Sequence, residues 1–195
     1  MSSPFELLAA PFTAYVAAVG TAFPDVDEAP SASWFKIGTS GADNYNEDGV
    51  AIKHEQTIET FRGLGKTGQL KAWRTEEALK ASFGVHDVTA EQYGKMMNDA
   101  TVTDVAAGAG TPGYRYIELQ QGLTVALFAL ILRADASPYG DSWKMQYQVP
   151  IVFQSEEPEP TYTKGEPAGL DVEYTALQHS TLGFGRLVIQ DATAA

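Results

Sequence analysis

Residues 50–85 read VAIKHEQTIETFRGLGKTGQLKAWRTEEALKASFGV. Apolar and polar side chains alternate at both ends of this stretch. One face carries Val50, Ile52 and Ile58 at the first end, and Leu79, Ala81, Phe83 and Val85 at the second. Alternation with a period of two residues is typical of a half-buried β-strand. Residues 62–75, which lie between, contain three glycines and four basic side chains and favour a loop. The stretch therefore predicts two strands joined by a basic loop.

Similar patterns predict strands over residues 12–19, 114–121, 123–133, 144–153, 170–177 and 186–190. In the fourth of these, one predicted face carries Met145, Tyr147, Val149, Ile151 and Phe153, opposite Lys144, Gln146 and Gln148. Thr89 and Gln92 have the spacing of a capping box, which predicts a helix from Thr89 to about Asn98. The fold class is therefore mainly β, with two antiparallel sheets forming a sandwich or barrel and one short flanking α-helix. We divide the chain into an N-terminal arm with the first strand, residues 1–24, and a single β-sandwich domain, residues 25–195.

The composition excludes several classes of protein. The chain has 195 residues, 13 basic and 25 acidic side chains, a formal net charge of −12 and no cysteine. Disulfide frameworks, zinc ribbons and thiol nucleophiles are thereby excluded, and the acidic excess disfavours tight binding of nucleic acid. The apolar first 24 residues lack the basic start of a signal peptide. The apolar run 123–132 is about half of the ~20 residues that a membrane helix needs, so we expect no membrane association.

Three short motifs resemble functional sites, and each fails on its spacing or context. Residues 60–67, TFRGLGKT, lack the first glycine of a phosphate-binding loop, and no helical pattern follows them. Residues 44–55 match the spacing of a calcium loop but begin with Asn and have no flanking helices. His54 and Glu55 are adjacent on a predicted strand and so point to opposite faces. We therefore expect no enzyme activity, no catalytic residue, no cofactor and no metal.

The most informative feature is the placement of charge. Residues 62–80 contain five basic and two acidic side chains, a net +3, so the rest of the chain carries −15. One interpretation is a solvated loop whose charge is incidental. The other is a contact between copies, in which the loop of one subunit docks on the acidic surface of another. Such a head-to-tail contact closes into rings or propagates into filaments, and Trp and Arg are common anchors of protein interfaces.

Several segments together resemble a known family, the major tail (tail tube) proteins of long-tailed bacteriophages. The resemblance is carried by residues 11–30, 33–50, 54–79, 87–98, 132–150 and 184–190, in that order and spacing, and covers nearly the whole chain. One departure is Ala134-Asp135 after Arg133, where the family's pattern has a glycine. The resemblance implies a sandwich with one helix, assembled as hexameric rings that stack through a long loop and terminal arms into a tube.

The resemblance assigns functions to residues of this chain. The stacking loop between subunits carries over onto residues 62–75, with Arg62, Leu64, Lys66, Leu70, Lys71, Trp73 and Arg74 as its contact residues. A candidate lumen face is Lys53, Glu55, Thr57 and Glu59, with Gln120, Gln121, Gln146 and Gln148 as neutral alternatives. The implied partners are further copies of the chain, the tape-measure, tail-tip and tail-terminator proteins, and DNA as transient cargo. The implied location is the virion tail, assembled in the host cytoplasm.

Two alternatives remain open at this point. A tube protein of a contractile injection or secretion system would use the same fold to conduct effectors. A β-sandwich carbohydrate-binding module would instead rest on Trp34, Trp73 and Trp143.

Overall fold

The structure is a computed structural model that describes residue 8 and residues 11–38, 44–86 and 88–193. Its strands are β1 (Phe12–Ala18), β2 (Phe35–Lys36), β3 (Tyr45–Phe61), β4 (Lys71–Val85), β5 (Thr103–Val105), β6 (Tyr114–Tyr116), β7 (Phe128–Ala134), β8 (Met145–Gln154), β9 (Leu170–Ala176) and β10 (Arg186–Ile189). Helix α1 (Ala90–Met96) follows β4. None of the helices in the described ranges has the length and apolar character needed to cross a membrane.

Two antiparallel sheets contain the ten strands of the described ranges. The large sheet has the order β2-β1-β7-β8-β9-β4-β3, with β10 paired to β8, and the small sheet is the pair β5-β6. The end strands β2 and β3 do not pair with each other in the part of the chain that the structure describes, so the sheet is not a closed barrel. The predicted fold class is confirmed in its sandwich form. Strand β1 pairs with β7 along its whole length, so it belongs to this sheet.

The large sheet folds over itself around one apolar core. Ala14 and Val16 of β1 and Leu130 and Leu132 of β7 share a cluster with side chains of β4 and β9, which lie at the other end of the sheet. The second face of β1 and β7 is covered by the segment after β1, where Trp34 packs against Phe23. Because β7 is buried on both faces, residues 128–132 form a continuous apolar run, and Arg133, which follows them, is also buried.

Strand β8 carries a bulge that changes which of its residues face the core. Phe128 pairs with Val152 and Leu130 with Val149, so β8 has one residue more than β7 over this interval. A single extra residue inverts the faces of a strand beyond it. Val149 and Val152 are therefore both in the core, and the predicted single face from Met145 to Phe153 is wrong after Val149.

The same strand corrects the assignment of two glutamines. Gln146 and Gln148 are buried, and the Nε2 atom of each donates a hydrogen bond to the Pro24 carbonyl oxygen, at 2.9 and 3.2 Å. They fix the segment after β1 on the sheet and are not available to line a channel. Because these glutamines alternate with apolar side chains in the sequence, a solvent-exposed position was expected. In the structure the segment after β1 covers them and accepts hydrogen bonds from their side-chain amides.

Other predicted boundaries are partly right. The strands expected over 114–121 and 123–133 are shorter, since residues 117–127 lie outside any strand. The helix begins after Thr89, whose hydroxyl accepts a hydrogen bond from the Gln92 amide as predicted. The Gln92 side chain does not complete the box, because its Nε2 donates to the Lys36 carbonyl oxygen. It therefore ties the helix to β2.

Tyr45 joins the start of β3 to the opposite end of the sheet. Its hydroxyl donates to the Ile37 carbonyl oxygen and accepts from the Ala14 amide, both at 2.8 Å. Burial raises the pKa of Tyr45 to about 12, because desolvation disfavours the phenolate. Burial also raises the pKa of Tyr174.

We expect Tyr45→Phe to lower the free energy of unfolding by ~2–3 kcal/mol, since it leaves a buried amide and carbonyl unpaired. The neutral hydroxyl of Tyr45 makes its full contribution to the free energy of unfolding below pH 10, and this contribution is lost as the pH rises from 10 to about 12. Thermal unfolding between pH 8 and pH 12 is the measurement, and the pH dependence is expected to be shallower in the variant than in the parent. Tyr139→Phe, at an exposed tyrosine, is the matched control and is expected to leave both quantities unchanged.

Candidate functional site

The most unusual part of the fold is the far end of the β3-β4 hairpin. Strand β9 pairs with β4 only over Lys80–Val85, so residues 53–77 are held only by the pairing of β3 with β4. We call residues 53–77 the hairpin arm and residues 61–71 its tip. At about 3.3 Å per residue, the arm extends ~30 Å from the body. Both of its edges therefore carry unpaired backbone groups along most of their length.

The arm is exposed on both faces, which corrects the prediction of a half-buried strand over residues 50–61. Of the predicted strand, only Val50 and Ile52, which precede the arm, pack against the core. Beyond it, large apolar side chains are left in water: Ile58, Phe61, Leu64, Leu70 and Trp73. Leu64 has a relative accessibility of 106%. The apolar pattern of the sequence is therefore real, but no part of the described chain covers these side chains.

The predicted loop 62–75 is shorter in the structure. Strand β4 begins at Lys71, so the loop comprises residues 62–70 and the remaining residues belong to the ladder. Thr57 pairs with Glu76 and Ile58 with Arg74, which leaves Thr75 as an extra residue on β4. A bulge of this kind increases local twist and redirects the strand beyond it. Trp73 consequently lies opposite Glu59, on the face that carries the candidate lumen residues.

The basic side chains of the arm differ in whether they have hydrogen-bond or ion-pair partners within the chain. The Arg74 guanidinium donates to Gln56 Oε1 at 2.9 and 3.1 Å and lies 3.2 Å from Glu77 Oε2. Among the residues that the structure describes, none forms a hydrogen bond or ion pair with the side chains of Arg62, Lys66 or Lys71. The unsatisfied positive charge is therefore concentrated at the tip.

The four candidate lumen residues lie on one face of β3, as predicted. Their paired neighbours on this face are Lys80, Ala78, Glu76 and Trp73. Lys53 Nζ is 2.6 Å from Glu55 Oε1, and this hydrogen bond lowers the pKa of Glu55. Lys80 lies between Glu55 and Glu173, and its hydrogen bond to Glu173 raises the pKa of Lys80. The positive charge of Lys53 is thus paired with a carboxylate on the same face.

A groove of about 560 Å³ is bordered by Glu156, which also lines a smaller cavity with Gly84 near the last residue of β4. Sequence reasoning did not identify it. Its floor is formed by buried side chains of α1 and β7, and its walls by residues 119–126 and 154–158. The lining residues used below are Met96, Met97, Leu119, Val125, Phe128, Glu156 and Glu157. The acidic run in residues 154–159, QSEEPE, was the one available signal in the sequence.

Asn98 holds one wall of the groove in place. Its Nδ2 donates to the carbonyl oxygens of Gln121 and Thr124, both at 2.7 Å, and its Oδ1 accepts from the Ala126 amide at 2.5 Å. Asn98 has φ +59°, a left-handed conformation that Asn adopts more readily than most residues. One side chain therefore fixes a segment that has no strand or helix of its own.

Asn98→Gly is expected to lower the free energy of unfolding by ~1–3 kcal/mol, because it removes three hydrogen bonds while tolerating the positive φ. Asn98→Ala is expected to cost a further ~1–2 kcal/mol from backbone strain. Urea unfolding of the two variants separates these contributions. Parental stability of the Gly variant would show that the hydrogen bonds do not hold the wall.

The competing sites of the sequence find no support in the geometry. Residues 60–67 turn between two strands and open no helix, unlike a phosphate-binding loop. Residues 45–55 form a strand, so the ligands of the calcium-like motif are spread along it. No cluster of three or more acidic or histidine side chains within the described ranges is placed to hold a metal ion. Trp34 is only 5% exposed, which corrects its use in a three-tryptophan carbohydrate site.

No protein-family model matches the chain, and no curated protein matches it.

Proposed function

We propose that the chain is a structural, non-catalytic subunit that assembles with copies of itself into a tube, as the tail tube proteins of long-tailed bacteriophages do. The observation that carries the proposal is the hairpin arm, which leaves unpaired strand edges and five large apolar side chains in water.

The physical argument concerns the stability of such an arm in isolation. A two-stranded ribbon is marginally stable in water, and an exposed strand edge invites pairing with another chain. Soluble proteins usually limit exposed edges and apolar patches. A fold that retains both over residues 53–77 is explained if a neighbouring subunit covers them.

The charge distribution fits passage of DNA through the tube. On the candidate lumen face, carboxylates of Glu55, Glu59, Glu76 and Glu173 outnumber the ammonium groups of Lys53 and Lys80. An acidic wall repels phosphate and allows DNA to move without being held. In this proposal DNA is cargo, the tape-measure protein occupies the lumen before it, and tail-tip and tail-terminator proteins bound the tube at its two ends.

Sedimentation velocity tests the proposal over a range of protein concentrations. We expect a species of six times the 21.0 kDa chain mass, or larger, at high concentration. Reversing Arg62, Lys66 and Lys71 to Glu is expected to raise the concentration needed for assembly by about tenfold or more. Circular dichroism of the reversed variant controls for folding. A parent chain that sediments as a monomer at every concentration would contradict the proposal.

A further inference from the structure

We propose that the groove between α1 and residues 119–126 is the receptor for the tip of a second copy of the chain. The inference rests on the proposed function and deepens it, because it names the surface that the arm contacts.

The first support is the apolar character of both surfaces. Met96, Met97 and Phe128 form the floor of the groove, and the exposed side chains of Leu119 and Val125 stand on its wall. The tip presents Phe61, Leu64 and Leu70, also exposed. The floor side chains are buried, so the apolar surface that the groove leaves in water is that of Leu119 and Val125. Joining the two surfaces would cover these side chains together with those of the tip.

The second support is complementary charge. The groove is bordered by Glu156 and Glu157, whose carboxylates pair with no basic side chain in the part of the chain described by the structure. The tip carries Arg62, Lys66 and Lys71, which are likewise without partners in the described residues. Complementary potentials guide association and disfavour wrong pairings. The unpaired carboxylates of the groove and the unpaired basic groups of the tip can therefore pair with each other.

The third support is the position of the two surfaces on one subunit. The tip is at the first residues of β4, and Gly84, near the last residue of β4, lines a cavity together with Glu156 from the border of the groove. Fifteen residues of strand span ~50 Å. The tip cannot reach the groove of its own chain while the ladder is intact. The contact is therefore between copies, and it is head-to-tail, as in rings and filaments.

Disulfide cross-linking tests the contact directly, since the chain has no native cysteine. A mixture of the Leu64→Cys and Val125→Cys variants, under a mild oxidant, is expected to give covalent dimers at assembling concentrations. Tyr139→Cys is the matched control for the groove position: Tyr139 is similarly exposed but lies beyond the end of β7 opposite to Phe128. Its mixture with Leu64→Cys is expected to give at least about tenfold less dimer.

Charge exchange is the second arm of the test. Glu156→Lys with Glu157→Lys is expected to weaken assembly to the same degree as Lys66→Glu with Lys71→Glu, and the four changes in one chain are expected to restore it. Two results, in a chain that assembles, would contradict the contact. One is that the Leu64→Cys variant links to the Tyr139→Cys variant as readily as to the Val125→Cys variant. The other is that the combined charge variant does not regain assembly. The groove is then not the receptor, and the proposed function stands. If the parent chain forms no assembly at all, both fail.

Discussion

A chain in which Asn-Gly replaces residues 59–73 is expected to fold but to remain a monomer. The new turn would connect Ile58 to Arg74, which already pair across the hairpin, and Asn-Gly favours the two-residue turn that such a connection requires. The body is expected to keep its stability, because the core cluster draws on the hairpin only up to Ile52 and back from Leu79. Assembly is expected to be lost entirely, since the tip and the distal edges are removed together.

Sedimentation and thermal unfolding of this shortened chain separate the two effects. Arg74→Ala is the matched control: it keeps the arm and removes only exposed interactions, which are two hydrogen bonds to Gln56 and an ion pair with Glu77 worth ~0–1 kcal/mol. We expect this variant to assemble normally. Assembly of the shortened chain at parental concentrations would show that the arm is not the contact element.

The second large effect is on folding. Gly185 precedes β10 and has φ +135°, a conformation that side chains rarely adopt. A Cβ atom there would press on the Gln148 carbonyl oxygen and lie 3.1 Å from the Val149 Cα, both on the backbone of β8. Because β8 is held between β7, β9 and β10, its backbone has no room to yield. Gly185→Ala is therefore expected to lower the free energy of unfolding by ~3 kcal/mol or more.

Gly183→Ala is the matched control for this substitution. Gly183 also has a positive φ, +59°, but apart from its chain neighbours no atom of the described residues lies within 4 Å of the position that a Cβ would take. The substitution is expected to cost only the ~1–2 kcal/mol of the left-handed backbone. Equal losses in the two variants, measured by urea unfolding, would contradict the close approach of Gly185 to β8.

Local patterns in the sequence predicted the strands and the helix, but not the contacts that these elements make with distant parts of the chain. The patterns located β9 and β10 to within one residue, because such patterns depend only on neighbouring residues. They also predicted β3 and β4, but β3 begins before Val50 and β4 begins within the predicted loop 62–75. The bulges at Thr75 and near Pro150 were not predicted, since each depends on pairing with a distant strand. For the same reason Gln146 and Gln148 were misassigned: only the folded chain brings the Pro24 carbonyl to them.

The candidate site shows the same division. The charge count singled out the tip correctly as the basic part of the chain, because charge is a property of composition. It could not distinguish Arg74, whose guanidinium is satisfied by Gln56 and Glu77, from Lys66 and Lys71, which have no such partners in the described residues. The groove was missed because its floor, wall and acidic border come from three separate segments of the chain.

Electron microscopy of the purified chain at high concentration tests the central claim most directly. We expect rings with sixfold symmetry in end view and hollow tubes of stacked rings in side view. A field that contains only isolated particles of the single 21.0 kDa chain at every concentration would contradict the account.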